Sequence, residues 1–272
     1  WRGLLLGRVN LAAGEAWLNS RPDGIALEEP LALSVLGGKF RLHELNLSLP
    51  GEGRTEPEII LRADLEAIDM ELLTRAFGWP VFGGMVSGRI PGVRLDGGVI
   101  RLDGEIQVDV FDGRLQLRDL AIERPFGVLP SLAADIEFEN LDLEALTQTF
   151  SFGRISGRLE GYVRDLRMLD WQPVAFDAWL GTPEQQKGSN AISRRAVSNL
   201  ATIGGGSATA ALTNPLLRMF GNFSYRRLGI GCRLQNYVCA IRGVSEDDVS
   251  VLLMEGAGVP KVTIRAYNRR VD

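Results

Sequence analysis

From residue 30 to residue 181 apolar and polar side chains alternate with a period of two, and that rhythm restricts the chain to half-buried β-strands. In Arg101-Leu102-Asp103-Gly104-Glu105-Ile106-Gln107-Val108-Asp109-Val110, the side chains of Leu102, Ile106, Val108 and Val110 share one face. Leu115 and Leu117 continue the pattern in Arg114 to Ile122. The turn signals Leu95-Asp96-Gly97-Gly98 and Phe111-Asp112-Gly113-Arg114 separate alternating runs, which predicts antiparallel hairpins. A chain of 272 residues with 45% hydrophobic content has the material for one large core or two small ones. Its longest apolar runs, such as Val249 to Met254, fall well short of the roughly 18 residues a spanning helix needs.

Two segments interrupt the alternation, and they resemble each other. Ile68-Asp69-Met70-Glu71-Leu72-Leu73-Thr74-Arg75-Ala76-Phe77 returns as Leu141-Asp142-Leu143-Glu144-Ala145-Leu146-Thr147-Gln148-Thr149-Phe150, and each leads into a Ser-Gly-Arg triplet that opens a strand. Ile68, Leu72, Leu73 and Ala76 in one copy, and Leu143, Leu146 and Phe150 in the other, have helical spacing. Asp69 and Asp142 stand where an N-cap carboxylate would accept from first-turn amides, and Glu71 and Glu144 complement the helix dipole. A short helix, a tight turn and a hairpin therefore form a repeating unit.

The net charge of −4 conceals an imbalance: residues 1–181 carry ten more acidic than basic side chains, and residues 182–272 six more basic than acidic. The polar stretch Gly181 to Asn190 separates them as a linker or loop, giving two expected domains, a repeat-built β domain over 1–181 and a basic α+β segment over 182–272. In the second, Ala191 to Ile203 is expected to form a helix stopped by Gly204-Gly205-Gly206, and Pro215 to Phe220 a shorter one capped by Asn214. A basic terminal part suits anionic headgroups or an acidic partner. The first residues show no signal peptide, and the start at Trp1 and end at Asp272 suggest a segment of a longer protein.

Cys232 and Cys239 flank Arg233 to Val238, and a turn centred on Gln235-Asn236 would set them opposite each other on adjacent strands, which predicts a disulfide and an oxidising compartment. Two thiols are too few for a zinc site. The single histidine, His43, is read as structural, on the strand face shared with Leu45 and Leu47. Glu246-Asp247-Asp248 reads as a solvated turn, and Gly204 to Ser207 lacks the Gly-Lys-Ser/Thr ending of a phosphate loop. No catalytic residue, metal site or cofactor is therefore expected. The acidic balance of the whole argues against nucleic acid, although Tyr225-Arg226-Arg227 and Tyr267 to Arg270 mix aromatics with arginine.

The segments "LDLEALTQTF" into "FGRISGRLEGYVRDL" and "IDMELLTRAF" into "MVSGRIPGVRL" resemble the AsmA-like proteins, particularly the C-terminal regions of the TamB and YdbH type, over roughly residues 60–180. The part from 191 to 272 departs from that repeat. The resemblance implies a mainly β fold, an elongated, curved antiparallel sheet forming an open groove, with short helices and a C-terminal α+β cap. It also implies a bridge-like lipid transfer protein that moves phospholipid between inner and outer membranes, is located in the periplasm and is held to the inner membrane by a segment outside this chain. Leu102, Ile106, Val108, Val110, Leu115 and Leu117 are the groove candidates for acyl chains, and the C-terminal part is the place for an envelope protein partner. The alternative is a structural or assembly domain of the envelope, in which a second sheet closes the same apolar face.

Overall fold

The computed structural model describes residues 4–6, 9–11, 13–51, 57–77, 81–96, 98–124, 128–184, 190–203, 219–246 and 250–266. Among them are nineteen strands and three short helices, and every strand pair with a defined register is antiparallel. The chain is mainly β, as the alternation predicts. By packing it divides into two units, unit 1 comprising Trp1–Val110, Arg114–Ile136 and Asp165–Pro173, and unit 2 comprising Phe111–Gly113, Glu137–Arg164 and Val174–Asp272. This division follows contacts, whereas the expected one at residue 181 followed charge.

Unit 1 begins with five short strands, β1 (Leu4–Leu6), β2 (Val9–Leu11), β3 (Leu18–Arg21), β4 (Gly24–Leu27) and β5 (Leu31–Val35). Four long ones follow, β6 (Gly38–Ser48), β7 (Glu58–Asp69), β8 (Gly84–Asp96) and β9 (Val99–Val110), with helix α1 (Met70–Phe77) between β7 and β8. β6 to β9 pair in chain order. Strands β10 (Gly113–Glu123), β11 (Ser131–Asp142), β12 (Arg158–Leu169) and β13 (Gln172–Gly181) contribute residues to both units, and helix α2 (Leu143–Thr149) lies in unit 2.

The ladder of unit 1 is interrupted at three bulges that decide which side chains face which way. Leu42 pairs with Ala63 and Glu44 with Arg62, so His43 is the extra residue of β6. It therefore lies with the charged side chains, its Nε2 2.8 Å from Asp64 Oδ2, and not with Leu45 and Leu47 as the alternation suggested. Around Pro91 the register of β8 slips against both neighbours. Proline has no amide to donate, and an irregularity in the ladder is where a long strand tolerates it. In β7 the bulge is at Ala67, whose φ is 49°, and its amide, freed from the ladder, donates to the Ser87 hydroxyl at 3.2 Å.

The repeated helices are capped as expected. Asp69 Oδ1 accepts from the amides of Glu71 and Leu72 at 2.7 and 3.2 Å, and Asp142 Oδ1 from that of Ala145 at 2.8 Å. The likeness extends beyond the sequence match. Thr74 and Thr147 are both buried, each donating at 2.7 Å to a carbonyl one turn back, of Met70 and Leu143. The Asp69 amide donates to Leu36 O at 2.9 Å and the Asp142 amide to Phe111 O at 2.6 Å, each acceptor at the tip of an earlier hairpin and at positive φ. Glycine follows each tip because the chain passes close to the backbone just before the helix: a Cβ on Gly38 would come 2.4 Å from Ala67 O, and on Gly113 2.5 Å from Asn140 O.

Unit 2 adds β14 (Asn190–Ser193), helix α3 (Arg194–Ile203), β15 (Asn222–Gln235), β16 (Val238–Gly243), β17 (Ser245–Glu246), β18 (Val251–Ala257) and β19 (Ile264–Ala266). The expected helix from 191 starts later, because Asn190 to Ser193 pair with β15. The cap of this helix uses serine for aspartate: the Ser193 hydroxyl accepts from the Ala196 amide at 3.3 Å, and the Ser193 amide donates at 2.8 Å to Arg154 O in the loop between α2 and β12. The expected glycine stop at 204–206, residues 215–218 of the second helix, residues 185–189 of the linker and the acidic pair at 247–248 lie outside the described residues.

The core of unit 2 is closed. Ile192, Ala196, Tyr225, Leu253, Met254 and Ala266 are fully buried, and four consecutive residues of β18, Val251 to Met254, are buried on both faces of the strand. Tyr225 donates its hydroxyl to Ser156 O at 2.5 Å, and burial pushes its phenol pKa upward despite a hydrogen bond with Asn190. Cys232 and Cys239 form a disulfide with Cα atoms 5.5 Å apart. Their expected register is corrected: the turn sits at Asn236-Tyr237, both at positive φ, so Cys239 opposes Leu234 and the bridge runs diagonally across the hairpin. Among the described residues no helix is long and apolar enough to cross a membrane.

Candidate functional site

One face of the unit 1 sheet is ionic. Arg62 meets Glu44 at 3.3 Å, Arg41 meets Glu66 at 3.1 Å, and Arg94 meets Asp103 at 2.5 Å. Across the β9–β10 hairpin, Arg114 reaches Asp109 and Arg118 reaches Glu105, both at 3.2 Å. These side chains are largely exposed, so each pair contributes at most about 1 kcal/mol. Their stronger effect is to fix which side of each strand faces water.

The opposite face is aliphatic. Because Arg114 and Arg118 lie on the ionic side with Asp109 and Glu105, the odd-numbered neighbours Leu115 and Leu117 fall on the apolar side with Ile106 and Val108. All six groove candidates therefore share one face: Val108 and Val110 are buried, while Leu102, Ile106, Leu115 and Leu117 are half-buried. Leu102 also joins a cluster that sequence reasoning did not single out. Its buried members are Leu42, Ala63 and Ile90, and packed against them are Leu27, Leu31, Phe40, Leu45, Leu61, Leu65, Val93 and Leu102.

Eight of those eleven apolar residues are only partly buried, and this decides what the face is. Where a second sheet packs on the first, inward-facing side chains interdigitate and lose nearly all contact with water. Here aliphatic side chains lie side by side along adjacent strands and keep part of their surface in contact with solvent. The bulges keep the face continuous. Without the extra residue at His43, Leu42 and Leu45 could not both point to it, and Gly88 and Gly104 give it shallow points where no side chain projects. The signal that could have found the β6 to β8 members is the same alternation, in Phe40-Arg41-Leu42 and Ile59 to Leu65.

His43 and Asp64 are exposed on the ionic side, and among the described residues no group of three His, Cys, Asp or Glu side chains could hold a metal ion. What this surface can do is bury apolar matter in strips parallel to the strands. No protein-family model matches the chain, and no curated protein or solved structure matches it.

Proposed function

We propose that this chain is a segment of a bridge-like lipid transfer protein of the AsmA-like, TamB and YdbH type, and that the apolar face of unit 1 receives phospholipid acyl chains. The observation that carries the reading is the row of half-buried aliphatics, Leu61, Leu65, Val93 and Leu102 among them, on a sheet whose other face carries ion pairs. Covering such a row with an acyl chain gains about 25 cal/mol for each Å² of apolar surface removed from water. Gains of that kind do not depend on position along the strand, so a chain bound there can slide. The helix-and-hairpin repeat serves the same end, because a conduit lengthens by adding units. The Cys232–Cys239 disulfide suits an oxidising compartment, which in this reading is the periplasm, with a membrane anchor outside the chain. No enzymatic step is proposed.

The test is phospholipid co-purifying with the protein, measured by mass spectrometry, for the unaltered chain and for Leu102→Glu. A half-buried carboxylate keeps part of its hydration, so the variant is expected to stay folded and to lose bound lipid. Absence of lipid from the unaltered chain, or undiminished lipid in a folded variant, overturns the reading. Unfolding by Leu102→Glu favours the assembly domain with a closed face instead.

A further inference from the structure

Unit 2 carries a second surface, remote in kind from the aliphatic face. On one side of β13, β15 and β16, Asp177 opposes Arg233, Trp179 opposes Gly231, Gly181 opposes Gly229, and Gly231 in turn opposes Arg242. The three glycines are bare because the Trp179 indole lies on them: a Cβ at Gly229 would come 2.6 Å from the ring, at Gly231 3.0 Å and at Gly181 3.2 Å. The underside of the indole thus rests on backbone, and the residue as a whole is only half-buried.

Beside the indole is an excess of cations. Arg233 donates through Nε and Nη2 to Asp177 Oδ2 at 3.0 and 2.7 Å. Arg242 reaches across the bare Gly231, donating Nη2 to Asp177 Oδ1 and to Ala178 O. The Tyr162 side chain hydrogen-bonds Arg242 as well, and the guanidinium of Arg164 lies 4.2 Å from the centre of the Tyr162 ring. Two guanidiniums thus share one carboxylate, and a third stacks on the neighbouring Tyr162 ring. One donor is unspent: Arg242 Nε is buried with no hydrogen-bond partner. A buried N–H on a charged group without an acceptor is costly, and such a group indicates an acceptor yet to be supplied.

We infer that this platform binds the phosphate of a phospholipid headgroup, with the guanidinium of Arg242 and the free edge of Arg233 donating to phosphate oxygens and the glycerol end lying on Trp179. The inference rests on the lipid reading above and gives it a polar station. Guanidinium matches a phosphate in a planar, two-point fashion, and a half-buried indole suits the boundary between headgroup and acyl chain. A single phosphodiester fits better than a polynucleotide, because the chain as a whole carries a charge of −4 and would repel an extended polyanion.

The experiment is titration of the chain with dihexanoyl phosphatidylglycerol below its micellar concentration, followed by tryptophan fluorescence. Five tryptophans are present, so the signal of Trp179 is taken as the difference between the unaltered chain and Trp179→Phe. A saturable signal that vanishes in Trp179→Phe, and weakens about tenfold or more in Arg242→Gln or Arg233→Gln at unchanged Tm, is expected. Arg233, the more exposed of the two, keeps the test open if the Arg242 variant fails to fold. Absence of a Trp179 signal, or equal affinity in both arginine variants, overturns the site. Inorganic phosphate binding as tightly as the lipid overturns the headgroup assignment in favour of a free anion. Undiminished co-purified lipid with a silent Trp179 sinks the platform alone. Loss of the groove's lipid with the platform still responding sinks the groove reading alone.

Discussion

The two units use the same local device and reach opposite ends. Each fastens a capped helix to the tip of an earlier hairpin, with Asp69 and Thr74 in one and Asp142 and Thr147 in the other. Yet unit 2 buries Ile192, Leu253 and Met254 completely, whereas unit 1 leaves Leu61, Leu65, Val93 and Leu102 only partly buried. The comparison teaches that the repeat sets strand order and not closure. Closure comes from what is added to it, in unit 2 the strand β18, buried on both faces, and helix α3, whose Ala196, Val197 and Leu200 are buried.

The sharpest way to break that contrast is to put the same charge in both places. Leu253→Asp is expected to remove several kcal/mol, enough to unfold unit 2 from a total stability of about 5–15 kcal/mol. Leu102→Asp in unit 1 is expected to cost about 1–2 kcal/mol, because the new carboxylate is still reached by water. Thermal unfolding of the two variants side by side checks this, and equal losses would mean that unit 1 is closed as well.

A smaller effect probes what the units share. Asp69→Ala and Asp142→Ala should each cost about 1 kcal/mol, the usual value of an N-cap, and the two losses should match. Denaturant midpoints measure them. A loss at only one position would show that the resemblance of the helices is one of shape alone.

The smallest effect concerns charge in unit 2. Burial raises the Asp177 carboxyl, but hydrogen bonds from Arg233 and Arg242, with their charges, outweigh it and leave the pKa below its ordinary value. A depressed carboxylate stabilises the fold above its unfolded pKa of about 3.9 and loses that contribution as pH falls through the folded value. The advantage of the unaltered chain over Asp177→Asn should therefore be constant from about pH 5 to 7 and close below about pH 4. A gap that widens on acidification would contradict the assignment.

What the sequence made legible was whatever is set by neighbours along the chain. The alternation in β9, the N-cap aspartates and the cysteine pair each depend on residues within a few positions of one another. The bulges were not legible, since an extra residue such as His43 or Ala67 is defined by the strand opposite it. The disulfide was foreseen but its register was not, because Asn236 and Tyr237 take the left-handed turn instead of Gln235 and Asn236. The cap of α3 was hidden by Ser193 standing where aspartate stood twice before. The arginine and tryptophan platform draws on four strands, and its one local trace is the spaced pair Gly229-Ile230-Gly231.

The fastening of helix to hairpin tip has a bearing on how such a chain comes into being. In both cases the acceptor precedes the donor: Leu36 before Asp69 and Phe111 before Asp142. Both intervals are a few tens of residues, so each of these two hairpins is secured by the next helix to emerge during synthesis and awaits nothing further downstream. Local closure of this sort lowers the entropy cost of ordering a long sheet and lets it form stepwise from its N-terminal end. The sheet can then grow in length while the search that each added unit faces stays the same size.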